Sequence, residues 1–217
     1  MEQRHWKKAG ITTSLLGYGC MRLPTLPDGR IDEVRAEALL NTARDAGVNY
    51  FDTAYPYHGG ESEPFVGRVI AKWPRESFYL ATKLPLWQCK SLDEAKCIFA
   101  DQQQRLGVDY FDFYLMHAQN ADNFKKFKAC RAYETAFALK AEGRIRHVGL
   151  SFHDRAEVLE RILTEYPEIE VVQIQFNYVD YDDPAVQSRK CYEVCRKFNK
   201  PVIVMEPVKG GNLVNLP

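Results

Sequence analysis

The sequence predicts an α/β fold of the (β/α)₈ barrel type, in an incomplete form with about seven parallel strands. Seven short apolar segments alternate with six segments of helical periodicity, joined by short connections, and this alternation is typical of a parallel sheet. Titratable residues stand at the carboxyl ends of the second, third and fourth strands, and a barrel would gather them on one face. A complete barrel needs one more strand and helix, so we expect the eighth β/α unit to be missing.

The first predicted elements are a short polar hairpin and the first barrel strand. The chain turns at Gly10 within the hairpin, and the apolar run at residues 15–21 predicts strand one. Strand two follows at residues 48–52. Gly47 ends the helix between these strands, which is predicted from apolar residues at helical spacing: Ala36, Leu39, Leu40 and Ala43.

The rest of the chain continues the alternation. Apolar runs of high strand propensity predict strands three to seven at residues 78–84, 111–117, 145–152, 171–178 and 201–208. Helices are predicted between them at about residues 66–73, 91–106, 124–143, 158–166 and 184–199. Ser91 and Glu94 form a capping box, and Asp183 with Pro184 supplies an N-cap and a proline at the first helical position.

Composition limits the classes of partner. The 217 residues suffice for a single domain, residues 1–217, and Lys+Arg and Asp+Glu are both 29, so the formal net charge is +0. A neutral chain argues against a nucleic-acid or anionic-membrane surface. The six cysteines form no CxxC pair, and no apolar run is long enough for a membrane span or a signal peptide. We therefore expect a cytoplasmic protein with reduced thiols, and neither a nucleic-acid nor a membrane partner.

The stretch at residues 48–60 joins a buried strand to a polar turn that contains titratable groups. Asp52 stands at the strand end and Tyr57 follows five residues later, while Lys83 and His117 lie at the ends of strands three and four. The segment FDTAYPYHGGESEPFVG resembles the signature of the aldo/keto reductase family. In that family an Asp and a Tyr at this spacing belong to a catalytic Asp-Tyr-Lys-His set.

Carbonyl reduction explains why these four residue types belong together. As hydride reaches the carbonyl carbon, negative charge grows on the oxygen, which must be stabilised and protonated. A lysine cation lowers the pKa of a neighbouring tyrosine, and a carboxylate keeps that lysine charged and in position. The resemblance implies that Tyr57 donates the proton and that Lys83 lowers the pKa of Tyr57. It also implies that Asp52 is the partner of Lys83 and that His117 orients the substrate.

The same resemblance implies a nicotinamide cofactor, NADPH or alternatively NADH, and no metal. Ser151 in GRIRHVGLS and Gln173 in QIQFNY match family residues that contact the nicotinamide carboxamide, and Gln175 and Asn177 would point the same way by strand alternation. A structural polar ladder inside the barrel is the alternative for these side chains. Residues after strand seven match a loop that wraps the cofactor pyrophosphate: Pro207, Gly210, Gly211 and Leu213.

The resemblance is closest to a subgroup of the family whose longer members end in a ferredoxin-like tail, through YGCMRLP and FDTAYPYHGG. This chain has no such tail after strand seven, so we expect no iron–sulfur cluster. The leading expectation is an NAD(P)H-dependent reductase of an aldehyde or ketone. One alternative is a nucleotide-binding or regulatory barrel with little or no turnover. Another is a metal-dependent hydrolase using His117, His153 and Asp52, although the first strand has no HxH pair.

A missing eighth unit would leave strands one and seven with unpaired edges. Both strands are apolar, and exposed apolar edges recruit further strands. Three outcomes are open: direct pairing of the two strands in a narrower barrel, an open gap, or coverage by another chain. We rank the third first and predict self-association through the open barrel edge.

Overall fold

The computed structural model, which describes residues 1–85 and 91–215, contains a curled, incomplete barrel of seven parallel strands behind a short antiparallel hairpin. The predicted fold class is therefore confirmed. The hairpin consists of β1 (Gln3–Trp6) and β2 (Ile11–Ser14). The parallel strands follow chain order across the sheet: β3 (Tyr18–Gly19), β4 (Tyr50–Asp52), β5 (Tyr79–Leu84), β6 (Phe111–Gln119), β7 (Ile145–Phe152), β8 (Val171–Gln175) and β9 (Val202–Met205).

Helices pack on the outside of this sheet. They are α1 (Glu33–Asp45), α2 (Ser62–Ile70), α3 (Leu92–Leu106), α4 (Ala121–Ala129), α5 (Ala132–Ala141), α6 (Ala156–Glu165) and α7 (Ser188–Lys197). Ser91 caps α3 by accepting a hydrogen bond from the Glu94 amide, as the capping box predicts. None of the described helices is long and apolar enough to cross a membrane.

Two predicted helices differ from the structure. The helix predicted over residues 124–143 is divided into α4 and α5, because Arg131 adopts a left-handed backbone conformation (φ 51°) between them. The helix predicted from Asp183 begins only at Ser188. The Asp183 carboxylate accepts from the amides of Ala185 and Val186, and the left-handed Gln187 (φ 52°) then separates this turn from the helix.

Strand one is much shorter than predicted. Of residues 15–21, only Tyr18 and Gly19 pair with β4, and the chain then enters a 3₁₀ turn at Cys20–Arg22. Leu15 and Leu16 are exposed. The run is short because β4 itself has three residues and β3 has no second partner in the part of the chain that the structure describes.

The barrel interior is closed at the amino-terminal end of its strands. Tyr50, Phe113 and Leu115 belong to a small apolar cluster inside the sheet, and the hairpin residues Trp6 and Ile11 pack against it. The opposite end, where the strands terminate, carries the titratable groups. The described core therefore leaves the carboxyl ends of the strands as the accessible face.

The sheet does not close on itself in the described residues. β3 and β9 are its two edges and do not pair with each other, so the narrower barrel is excluded and the gap is open. Residues of both edges line one cavity of about 1230 Å³, together with the hairpin and with Asp52, Tyr57 and His117. Self-association through this gap stays a prediction.

Candidate active site

Lys83 lies at the centre of a buried cluster at the carboxyl end of the sheet. Its side chain is 1% exposed, and Nζ donates to Asp52 Oδ1 at 2.5 Å, to the Thr53 carbonyl at 2.8 Å and to Tyr57 Oη at 3.3 Å. The pairing of β4 with β5 aligns Asp52 with Ala81, so the lysine two residues further reaches past the end of β4. Three of the four predicted catalytic side chains are thus in direct contact.

The turn that carries Tyr57 has an unusual backbone. His58 has a left-handed conformation (φ 52°), uncommon for a residue other than glycine, and Gly59 and Gly60 also have positive φ. The ring of His58 accepts a hydrogen bond from the Leu23 amide at 3.1 Å, which ties this turn to the segment after β3. Such strained positions persist only where the surrounding structure holds them, and they concentrate at functional sites.

His117 faces Tyr57 from the end of β6. The two ring centroids are 6.0 Å apart and the rings are nearly perpendicular, at 79°. Burial lowers the pKa of His117 to about 3, and the charge of Lys83 adds to this effect. The imidazole is therefore neutral at physiological pH and can donate one N–H to a ligand oxygen.

Burial and charge oppose each other at Tyr57 and Lys83. Burial raises the pKa of Tyr57, and the Lys83 cation lowers it, so that the pKa remains above its ordinary value overall. Burial lowers the pKa of Lys83, but Asp52 and Tyr57 more than offset it, and the pKa is raised. The lysine is therefore a permanent cation, and its effect on Tyr57 counteracts desolvation rather than producing a low pKa.

Gln173 belongs to the same cluster. Its Nε2 donates to Asp52 Oδ2 at 3.2 Å, so the carboxylate of Asp52 is shared between Lys83 and Gln173. Ser151 is buried nearby on β7, and its hydroxyl accepts from the Ala118 amide at 2.9 Å, next to the irregular end of β6. Both predicted cofactor residues are thus at the carboxyl end of the sheet, each with a protein partner.

Comparison with known proteins identifies the family of the chain. A model of the aldo/keto reductase family matches residues 15–216. The chain belongs to the aldo/keto reductase family. It is 28% identical to an NADH-specific methylglyoxal reductase of Escherichia coli, over 94% of this chain and 66% of that protein. It is 37% identical to an aldo-keto reductase of Mycolicibacterium smegmatis, over 83% of this chain and 62% of that protein.

Solved reductase structures share the fold. The holo form of an aldo-keto reductase from Bacillus halodurans superposes with a TM-score of 0.78 at 26% identity, covering 100% of this chain and 70% of that one. An aldo-keto reductase from Klebsiella pneumoniae in complex with NADPH gives a TM-score of 0.75 at 22% identity, covering 98% and 71%. The chain spans about two thirds or less of the first curated relatives that it matches, 66% and 58% of their lengths.

The loop that the family resemblance assigns to the cofactor pyrophosphate crosses towards the segment after β3. Gly210 (φ 65°) and Gly211 (φ 102°) have positive φ, and a Cβ on Gly210 would lie 2.8 Å from Arg22 Nη2. A side chain at residue 210 would displace the end of Arg22 and would also be strained at this positive φ. A cation beside a glycine-rich loop fits an anionic phosphate, while Pro207 is exposed and Leu213 is half-buried.

One predicted ligand residue has another role. β8 ends at Gln175, so strand alternation does not extend to Asn177. The amide of Asn177 donates to Asp180 Oδ2 at 2.7 Å and to the Glu206 carbonyl at 3.2 Å, and its oxygen accepts from the amides of Val179 and Asp180. Asn177 therefore stabilises the loop between β8 and α7. Gln175 instead donates to Glu206 Oε2 at 3.1 Å.

Sequence reasoning missed several supporting groups. Tyr55 donates to Asp101 Oδ2 at 2.8 Å, and its ring lies under the Arg105 guanidinium. Glu63 is completely buried behind β5. Its spacing could have indicated this, because Glu63 precedes Val66 by three residues and so lies on the apolar face of α2. Within residues 1–85 and 91–215, no three His, Cys, Asp or Glu side chains form a group that could hold a metal.

Proposed function

We propose that this chain carries the active site of an NAD(P)H-dependent oxidoreductase that reduces an aldehyde or ketone to an alcohol, with Tyr57 as the proton donor. The proposal rests chiefly on the buried Lys83, which contacts both the Asp52 carboxylate and the Tyr57 hydroxyl beside a large cavity. A buried lysine is costly unless it is paired, and this one is paired and directed at a phenol.

The roles of the residues follow from their charges. When bound, the cofactor supplies the hydride to the carbonyl carbon. The Tyr57 hydroxyl hydrogen-bonds the carbonyl oxygen and gives up its proton as negative charge grows there, and the Lys83 cation stabilises the phenolate that remains. Asp52 holds Lys83 in position, and the neutral His117 donates an N–H to the same oxygen, which orients the substrate.

The cofactor site has two proposed parts. Ser151 and Gln173 hold the nicotinamide carboxamide by hydrogen bonds, and the segment after β9 surrounds the pyrophosphate through Pro207, Gly210, Gly211 and Leu213. The family resemblance favours NADPH. The relative from Escherichia coli is named for NADH, so both nucleotides belong in the assay. Because that relative is named a methylglyoxal reductase, methylglyoxal is a suitable first substrate.

A second candidate function is a nucleotide-binding barrel with little or no turnover. The open gap between β3 and β9 favours it, because solvent reaches the cavity through the side of the barrel. Exclusion of water strengthens every electrostatic interaction on which the chemistry depends. Nucleotide binding without carbonyl reduction would support this second function.

The deciding experiment compares the 217-residue protein with Tyr57→Phe, using methylglyoxal and a panel of aldehydes with each nucleotide. Turnover should fall by ~10²–10⁴ because only the proton donor is lost. The nucleotide Kd, measured by calorimetry, should stay the same. Tyr55→Phe is the matched control, since Tyr55 lies in the same turn but bonds Asp101. Normal turnover in Tyr57→Phe would refute the assignment.

A further inference from the structure

Helix α2 begins with two completely buried polar side chains, Ser62 and Glu63. Ser62 Oγ lies 2.9 Å from Thr53 Oγ1, which ties the helix to the end of β4. Glu63 is the more unusual of the two, because it is a carboxylate with no salt bridge among the described residues. An unpaired buried charge is costly, and an apolar side chain of similar size at this position would normally be more stable.

Glu63 is the centre of a polar network on the helix side of β5. Its Oε1 accepts from Thr82 Oγ1 at 2.6 Å and from Gln102 Nε2 at 2.7 Å. Gln102 Nε2 also donates to the Lys83 carbonyl at 3.1 Å, and Gln102 Oε1 accepts from the Tyr114 hydroxyl at 2.7 Å. In the part of the chain that the structure describes, Oε2 of Glu63 has no hydrogen-bond partner.

The network contacts β5 at the point where the strand carries its active-site lysine. Thr82 and Lys83 are successive strand residues, so their side chains lie on opposite faces of the sheet. Thr82 and the Lys83 carbonyl are bonded from the helix layer, while Lys83 Nζ reaches Tyr57 inside the barrel. Glu63 also follows Tyr57 by only six residues. The Glu63 side chain thus connects the segment that follows Tyr57 to β5, the strand that carries Lys83.

We propose that Glu63 is a positioning residue that, through Thr82 and Gln102, fixes the main chain of Lys83 relative to the turn that carries Tyr57. The inference rests on the proposed roles of Lys83 and Tyr57. Burial of Glu63 raises its pKa to about 7, and the bonds from Thr82 and Gln102 and the charge of Arg105 act in the opposite direction. The site therefore tolerates a neutral side chain that still accepts two hydrogen bonds.

The test uses graded substitutions. Glu63→Gln keeps an oxygen that accepts from Thr82 and Gln102, so we expect kcat to stay within about threefold of the parent, since the hydrogen bonds are preserved. Glu63→Leu and Gln102→Leu remove the link to Lys83. They should lower kcat by roughly 10–100-fold with little change in nucleotide Kd, because a displacement of about 1 Å can cost that much. If Glu63→Leu does not fold, Gln102→Leu and Thr82→Val test the same link.

A matched control separates positioning from general stability. Asp112, on β6, is also a buried carboxylate that accepts from two donors, Arg75 Nη2 and the Leu80 amide, but it contacts β5 near the amino-terminal end, away from Lys83. Asp112→Leu should lower the melting temperature and leave kcat unchanged. A double-mutant cycle gives a further criterion, since Glu63→Leu should have almost no effect on kcat in a Lys83→Met background. An effect of full size in that background would overturn the inference.

A readout without turnover separates this inference from the proposed function. NMR titration of ¹³C-labelled tyrosine, assigned by comparison with Tyr57→Phe, reports the pKa of Tyr57. Displacement of Lys83 in Glu63→Leu should raise that pKa, whereas Glu63→Gln and Asp112→Leu should leave it unchanged. A folded Glu63→Leu protein with an unchanged Tyr57 titration refutes the positioning role. Turnover that survives Tyr57→Phe refutes the proposed function instead. The titration still reports whether Glu63 positions Lys83 relative to Tyr57.

Discussion

Glu63 should make the stability of this protein fall as pH rises from about 4.5 to about 7. Burial raises its folded-state pKa to about 7 from an ordinary value of 4.5. Between these values the native state binds a proton that the unfolded chain has released, so the free energy of unfolding decreases as pH increases. The gap between the two pKa values corresponds to a contribution of about 3 kcal/mol, present at pH 4 and lost by about pH 8. Arg105 reduces this gap and Asp101 widens it.

Glu63→Gln removes the ionisation and keeps the shape of the side chain. The free energy of unfolding, measured with urea and circular dichroism, should therefore rise for the variant relative to the parent by up to about 3 kcal/mol between pH 5 and pH 8. Glu61→Gln is the control, because Glu61 lies two residues away and is exposed. Equal differences between variant and parent at both pH values would refute the reasoning, since they would mean that Glu63 titrates alike in both states.

Three further predictions concern the site and the barrel edge. Lys83→Met should reduce kcat by ~10²–10⁴, and a pH–rate profile should show the alkaline limb of the residual activity shifted upward, because Tyr57 loses the cation that lowers its pKa. Gln173→Leu should weaken nucleotide binding in calorimetry by about 1 kcal/mol through the lost hydrogen bond; unchanged affinity would contradict its assignment. The 217-residue chain should self-associate in light scattering through the edges of β3 and β9, which have no further partner strand among the described residues, whereas a monodisperse monomer would contradict this.

Local pattern was sufficient to predict the architecture and the position of the proposed catalytic set. Helical and strand periodicities depend on neighbours a few residues apart, so they are readable without the fold. Once parallel strands are inferred, their carboxyl ends share one face. The pattern therefore placed Asp52, Lys83 and His117 on one face, and the family resemblance added Tyr57 in the turn after β4.

Strand and helix limits depended on partners far away in the chain. β3 is short because its only described neighbour is the three-residue β4. The break between α4 and α5 occurs at Arg131, whose left-handed backbone no local propensity predicts. Propensity is a weak prior that strand pairing overrides, as it does at β3.

The tertiary structure alone decided which polar groups meet. Asp52 and Gln173 are 121 residues apart in sequence, and Glu63 reaches Thr82 and Gln102 across 19 and 39 residues. A hydrogen bond depends on positions within a few tenths of an ångström, whereas periodicity assigns only a face of a strand or helix. Residue types and their order along the chain were thus enough to predict the fold and the candidate catalytic residues at the strand ends. The network that holds Lys83 was decided only when the sheet curled and brought α2 and α3 against the back of β5.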